Sequence, residues 1–253
     1  MTFKTLLTAS AFSVAAFFGL SPAAQAFDDA ERKEIGEIVR QYLLENPEVM
    51  IEVQQALEKK QTELRMAQAK QAVAENHDEI FQSSHDLALG NPNGKITVVE
   101  FFDYNCGYCK RALSDMDAII QANPEVRFVL KEFPILGPDS LAAHKVSDAF
   151  KRIAPEKYGD FHRQLLGSEG HADEARAVEI AVALGVSEEA LREQMAKGQD
   201  QESVQEAYKL ATRLGISGTP SYVIGDEAIF GAVGADTLSE KVKNVSQCGK
   251  TAC

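Results

Sequence analysis

The sequence predicts an α/β domain with a large helical insertion, preceded by an all-helical N-terminal extension. Three observations carry that prediction. Residues 96–102, ITVVEFF, are a run of β-branched and aromatic residues, the pattern of a buried strand. A helical stretch follows to Ile120, closed by Asn123-Pro124, and VRFVLKEF over 126–133 reads as a second strand. Strand, helix, strand in this order is a βαβ unit with a parallel pair. Residues 139–214 then repeat apolar positions at helical spacing.

In chain order, residues 1–26 carry one early positive charge, Lys4, and an apolar core from Leu6 to Leu20, and end in Ala24-Gln25-Ala26. That is the pattern of a cleaved secretory signal, with Phe27 as the mature N-terminus. The apolar run is shorter than the ~20 residues of a membrane span, and Ser and Thr interrupt it. No later stretch is apolar enough to cross a bilayer, so a mature protein outside the reducing cytosol is expected, where disulfides persist. The net charge of −12 becomes −13 once Lys4 is removed. A chain this acidic is a poor candidate for nucleic-acid binding, which relies on clustered Lys and Arg.

Residues 27–88 form the expected extension, with no glycine after Gly36, one proline, and abundant Glu, Gln, Lys and Ala. Ile35, Ile38, Val39, Tyr42 and Leu43 fall on one stripe of an amphipathic helix. Asn46-Pro47 breaks it, with Asn46 expected as the N-cap of the next helix and Pro47 at its first position. Val49, Val53, Ala56, Leu57 and Leu64 continue an apolar line that thins out towards Ala74. Such a segment has too little apolar surface for its own core and must pack on the main domain or on copies of itself.

The main domain is expected over 89–253, with its helical block at 139–214. Leu141, Val146, Ala149, Phe150 and Ile153 share one stripe, and Pro155 opens a segment with Tyr158, Phe161, Leu165 and Leu166. Further stripes run through Val178, Ile180, Ala181 and Leu184, and through Val204, Ala207, Leu210, Ala211 and Leu214, with Gly215 as C-cap. SYVIGDEAIFG over 221–231 reads as a hairpin turning at Gly225-Asp226. A last helix from about Ala235 to Val245 leads into the tail.

The four cysteines form two local pairs, Cys106/Cys109 and Cys248/Cys253. For the first, zinc ligation, a structural staple and dithiol chemistry compete. Zinc ribbons place both cysteine pairs on short turns, whereas Cys106 and Cys109 lie where a strand runs into a helix. A staple closing so small a loop restrains the unfolded chain little. The redox reading has a physical cause. At the first turn of a helix, Cys106 faces unpaired N–H groups and the positive end of the helix dipole. CxxC cysteines in such places have pKa values of roughly 3.5–7.5 rather than ~8.5. The thiolate of Cys106 attacks, and Cys109, one turn on, resolves the mixed disulfide. The tail pair, in QCGKTAC, has no helix start behind it and reads as a structural disulfide of about 2 kcal/mol at most.

With these residues in hand, VVEFFDYNCGYCK resembles the active-site stretch of DsbA-like thiol:disulfide oxidoreductases of the thioredoxin superfamily. The resemblance covers nearly all of residues 89–245. It implies a thioredoxin fold with an inserted helical subdomain at 139–214, and a cis-proline facing the CxxC, matched by Gly218-Thr219-Pro220. It makes Cys106 the exposed nucleophile and Cys109 the resolving thiol. Thr219 and Pro220 would shape a substrate groove in which a peptide pairs strand-like. Glu100 matches a buried acid that relays a proton to or from Cys109, and Lys131 and Glu132 are secondary candidates for tuning the site. Between the cysteines stand Gly107-Tyr108 rather than the Pro-His of strongly oxidising members, and the combination of CGYC with Thr219 before the cis-proline is similar to disulfide isomerases of the DsbC type.

The extension, with YLLENPEVMIEVQQAL, resembles that of suppressor-of-copper-sensitivity C (ScsC) and Com1-like proteins. It implies an oligomerisation stalk, with a trimer favoured. The combined expectation is a periplasmic protein disulfide isomerase or reductase. It would act on exported proteins with cysteines, be kept reduced by a membrane-bound electron donor, and need no cofactor beyond the Cys106–Cys109 couple and no metal. A monomeric dithiol oxidase and a Cu(I)-binding copper-tolerance protein remain open beside it. His77, His85, His144, His162 and His171 lie at no metal-ligand spacing beside a cysteine and are expected to be surface or hydrogen-bonded residues.

Overall fold

The computed structural model describes residues 28–253, so the signal expected over 1–26 lies outside the described residues. Helix α1, Asp29–Glu45, starts where a capping box starts it. Asp28 accepts from the N–H groups of Ala30 and Glu31, and the Glu31 carboxylate accepts from the N–H of Asp28, each at 2.8 Å. Asn46 ends α1 rather than capping helix α2, Glu48–Glu75. Pro47 bars Asn46 from helical backbone, and its side-chain amide donates back to the Tyr42 carbonyl at 2.9 Å.

The chain divides into two compact units, up to Leu57 and from Glu58 onward. In the first, α1 has no buried residue, and Ile35, Ile38, Val39, Tyr42, Leu44, Met50, Ile51, Val53 and Leu57 are all exposed. The second unit takes in more of the expected extension than its composition suggests. Ala69, Ala72 and Val73 of α2, with Ile80 and Phe81 of helix α3, His77–Phe81, are buried in one core with Val99, Phe101, Leu210 and Leu214. The boundary expected at 88 therefore falls inside the domain, and cuts through strand β1, Leu87–Gly90. The apolar line thins in side-chain size rather than in burial, because alanines let α2 approach closely. Arg65 adds to this seam, stacking 3.8 Å over the Phe230 ring and donating to the Gly215 carbonyl at 2.8 Å.

The sheet has the order β1-β3-β2-β4-β5. Strands β2, Ile96–Phe102, and β3, Val126–Glu132, run parallel around helix α4, Gly107–Ala122. The hairpin of β4, Ser221–Ile224, and β5, Glu227–Phe230, lies antiparallel on β2 and turns at Gly225, whose φ of +54 suits glycine. Val98 and Phe102 point into one apolar core and Val99 and Phe101 into the other, which is why β2 reads apolar on both faces.

Helices α5, Pro138–Ile153, α6, Tyr158–Leu166, α7, Glu174–Ala183, α8, Glu188–Met195, and α9, Asp200–Leu214, fill the expected block, with Gly215 left-handed after α9. Helix α10, Gly234–Cys248, runs three residues beyond its expected end. Cys248 is therefore a helical residue, followed by left-handed Gly249, and it is bonded to Cys253 with Cα atoms 6.2 Å apart. The tail folds back so that the buried Thr251 hydroxyl donates to Asp226 at 3.2 Å, and Asp226 pairs with Lys70 at 2.7 Å.

Lys131 and Glu132 face away from one another, and neither bonds a cysteine. Lys131 pairs with Asp86 and Glu206. Glu132 accepts from Ser147, Tyr158 and His144 and pairs with Lys151. Burial alone would raise its pKa, but Lys151, His144 and these hydrogen bonds hold the carboxylate well below the usual range. His144 is thus buried and bonded, also reaching Ser203 at 3.1 Å. His162 departs from expectation, because it is buried with no hydrogen-bond partner at either ring nitrogen. Burial pushes it down to about 3, so it stays neutral, edge-on to Phe102 at 4.7 Å.

Candidate functional site: a dithiol at the start of α4

Cys106 is the N-cap of α4, with extended backbone, and its Sγ accepts from the Cys109 N–H at 3.3 Å. An N-cap of Ser, Thr, Asp or Asn satisfies the first helical N–H groups with oxygen; here sulfur takes that place. The same donors stabilise a thiolate. The Cys106 pKa is lowered to about 6 by hydrogen bonds from the Cys109 thiol, the Thr219 hydroxyl and the N–H groups of Cys109 and Tyr108, against an opposing effect of burial. One contact works the other way. The Thr219 carbonyl lies 3.2 Å from Sγ and accepts a hydrogen bond only from the thiol form. Four donors outweigh one acceptor, so the thiolate dominates at neutral pH.

The nucleophile expected to be exposed is 5% exposed as a residue. Its sulfur is turned inward, onto the helix N-terminus and Thr219. Cys109 is fully buried. Its thiol is pushed far up by burial, by its hydrogen bond to Cys106 and by the Glu100 carboxyl, so it holds its proton while Cys106 loses one. The two sulfurs of one motif are thus placed in opposite protonation states.

Glu100 lies in the central strand β2, paired with Leu130 of β3 and Tyr222 of β4. It is 2% exposed, and its Oε1 has no hydrogen-bond partner among the described residues. Burial, the Cys106 thiolate and Asp115 raise its pKa to about 8. An ionised Glu100 would in turn hold the Cys109 thiol protonated.

The peptide between Thr219 and Pro220 is cis. Pro220 is buried, Thr219 half-buried, and Ser217 and Gly218 exposed, so this segment borders Cys106 from the solvent side. Gly107 is exposed, and a Cβ there would meet only the Arg111 guanidinium, at 3.9 Å. Tyr108 is 60% exposed, with Arg111 stacked 4.3 Å over its ring.

Sequence reasoning missed what holds the active-site turn. Asp103 is buried and accepts four hydrogen bonds, from the N–H groups of Asn105, Ile135 and Leu136 and from the Ser140 hydroxyl, at 2.7–2.9 Å. Its own carbonyl accepts from the Cys106 N–H at 3.0 Å. Asn105 bonds Ser140 and both the N–H and the carbonyl of Ala172. The turn before the nucleophile is therefore tied to the helical insertion on two sides. The Asp-x-Asn spacing ahead of an N-cap is an Asx-turn signal legible in the sequence.

Among the described residues, no group of three or more His, Cys, Asp or Glu side chains is set to hold a metal ion, and no helix is long and apolar enough to cross a membrane. Residues 97–243 match the DSBA-like thioredoxin domain family, and residues 31–63 match the copper resistance protein ScsC N-terminal domain. A thioredoxin-like oxidoreductase from Silicibacter pomeroyi DSS-3 is 37% identical, with a TM-score of 0.65 covering 68% of this chain and 99% of that one. Proteus mirabilis ScsC in a transitional conformation is 29% identical, with a TM-score of 0.61 over 86% of this chain and 98% of that one. Disulfide bond formation protein D of Bacillus subtilis (strain 168) is 25% identical over 165 residues, 61% of this chain and 74% of its own length.

Proposed function

The chain belongs to the DsbA-like thioredoxin domain family of thiol–disulfide oxidoreductases, and from that premise we propose that it is a periplasmic disulfide isomerase or reductase acting on exported proteins. The observation that carries this direction is the Cys106 thiolate near 6 beside a Cys109 that keeps its proton. A value near 6 lies closer to the ~7 of thioredoxin than to the ~3.5 of DsbA. The less a thiolate is stabilised, the less oxidising its disulfide, and the better the dithiol works from the reduced side. Gly107-Tyr108 contributes no histidine charge that would push it further.

In this reading, the Cys106 thiolate attacks a client disulfide, forming a mixed disulfide and releasing the client's other sulfur as a thiolate. That thiolate either attacks another disulfide of the client, whose freed thiolate then attacks the mixed disulfide and expels Cys106, leaving the client reshuffled, or the client is reduced outright. In the second course, forming the mixed disulfide removes the Cys106 charge that helps keep Glu100 protonated. The ionised Glu100 then takes the Cys109 proton, and Cys109 attacks Cys106 Sγ and expels the client thiolate. Two electrons pass to the client, and a membrane-bound donor restores the dithiol. Thr219 and Pro220 border the groove in which the client strand lies.

The exposed apolar residues between Ile35 and Leu57 are the proposed assembly surface, with a trimer as the favoured state. Their match to the ScsC N-terminal domain supports this. Residues from Glu58 belong to the second unit, and Ala69, Ala72, Val73, Ile80 and Phe81 enter its core, so the informative truncation removes 27–57. Light scattering and reactivation of a scrambled-disulfide substrate, on the mature protein and on that truncation, form the test. Oligomeric full-length protein with repair activity that the truncation loses is expected. Monomeric full-length protein, or rapid oxidation of reduced substrate without repair, would point to a monomeric oxidase instead. The family match over 31–63 also favours a second reading, Cu(I) held between the thiolates of Cys106 and Cys109. Titration of the reduced protein with Cu(I), with and without Cys106→Ser, decides it: absence of tight, Cys106-dependent uptake removes copper from the account.

A further inference from the structure

We propose that Arg111 selects clients, drawing to Cys106 substrate proteins with an aspartate or glutamate within about two residues of the reacting cysteine. This deepens the proposed thiol–disulfide function and rests on it. Arg111 lies on the second turn of α4, and its side chain leans back towards the helix N-terminus, over the dipeptide between the cysteines. Its guanidinium carbon is 4.3 Å from the centroid of the Tyr108 ring, and its Nη1 is the atom nearest to the open side of Gly107. Stacking on an aromatic uses the flat face of the guanidinium and leaves its N–H groups in the plane, free to grip a carboxylate.

From Glu58 onward, the other arginines are engaged. Arg152, Arg163, Arg176, Arg192 and Arg213 pair with carboxylates, and Arg65 and Arg127 donate to backbone carbonyls. Arg111 has no such partner among the described residues; what fixes it is the Tyr108 ring. Beside it, Lys110 is tethered by the carbonyls of Ser168 and Gly170 at 2.9 Å, so its charge is also left without a carboxylate. Two such cations next to the nucleophile stand out in a chain of net charge −12, whose overall field disfavours acidic clients.

The reach agrees with the claim. Arg111 is five positions along the chain from Cys106, about 7.5 Å along the helix axis before the side chain leans back. An extended client advances about 3.3 Å per residue. A carboxylate one or two residues from the client cysteine therefore arrives at the guanidinium as the sulfur arrives at Cys106, and two parallel charge-assisted bonds are available to it.

The test uses symmetrical peptide disulfides, each half holding one cysteine flanked at two positions by Glu, by Gln or by Lys. The fully reduced full-length protein transfers two electrons to each, releasing two peptide thiols and forming the Cys106–Cys109 disulfide. Rates are divided by those with dithiothreitol, which removes the intrinsic reactivity of each peptide. The Glu peptide is expected to react roughly three- to tenfold faster than the Lys peptide at low ionic strength, with Gln between them. The spread should close in high salt, collapse in Arg111→Gln and persist in part in Arg111→Lys. Equal normalised rates, or a spread that survives in Arg111→Gln, overturn the proposal alone. No reduction of any peptide overturns it together with the function on which it rests.

Discussion

Cys106 opens helix α4, whereas Cys248 closes helix α10, and the two pairs built on them behave oppositely. At the opening end, N–H groups without helical partners converge on sulfur and favour a thiolate. At the closing end, the sulfurs of Cys248 and Cys253 lie against carbonyl oxygens of Lys250 and Asn244, at 3.7 and 3.4 Å. A thiolate there would meet negative dipole ends, so the bonded form is the stable one. The first pair is enclosed by sheet, cis-proline segment and insertion; the second is exposed. Helix polarity and enclosure, more than the spacing of the cysteines, separate a reactive pair from a clasp.

The largest effect should come from Cys106→Ser, which removes the attacking sulfur. Thiol–disulfide exchange is expected to fall by roughly a thousandfold or more, since serine has no accessible anion at neutral pH. The double change Cys248→Ser, Cys253→Ser should leave exchange rates intact in the same assay. Loss of exchange in the tail variant would break the contrast at once.

Next in size is the pH dependence introduced by Glu100. Its folded pKa is raised to about 8, so the folded protein holds a proton that the unfolded chain releases above its ordinary carboxylate range near 4.5. Its contribution is therefore most favourable below that range and is lost as pH rises towards 8, at up to about 1.4 kcal/mol per pH unit. Glu100→Gln imitates the protonated form. Denaturant unfolding of the reduced proteins should show equal stability at pH 4 and a variant more stable by several kcal/mol at pH 7.5. Equal stability at both values would mean that Glu100 ionises normally.

A smaller effect belongs to the tail. Opening its short loop by the same double substitution should lower stability by about 2 kcal/mol or less, read as a drop in melting temperature with unchanged activity. The change should also loosen Thr251 from Asp226, visible as faster amide exchange at Thr251, whose N–H lies 3.4 Å from that carboxylate.

Much of this contrast was legible in the sequence because it depends on local order. A β-branched strand, a cysteine and then helical periodicity define an N-cap sulfur without any tertiary knowledge. The hairpin at Gly225, the cap at Gly215 and the insertion followed from similarly local signals. What escaped depends on partners distant in sequence. Strand β1, LALG, is four residues of weak β-propensity whose identity comes from pairing antiparallel with β3. Ala69 and Ala72 look like filler until α2 seats against the sheet. Cys106 was expected to be exposed, and only the turn of its sulfur onto Thr219, 113 residues away, buries it. Lys131 and Glu132, adjacent to the expected site in sequence, are drawn into separate buried ion networks by Asp86, Glu206, His144 and Lys151.

The central claim is that the start of α4 makes Cys106 a thiolate while Cys109 stays a thiol. Alkylation of the reduced protein with iodoacetamide across pH 4 to 10, with the modified residue identified by mass spectrometry, tests it most directly. The account predicts a single fast-reacting site, Cys106, whose rate rises with a midpoint near 6, with Cys109 unmodified over the same range. A midpoint at or above the ordinary cysteine value of ~8.5, or first modification at Cys109, would contradict it.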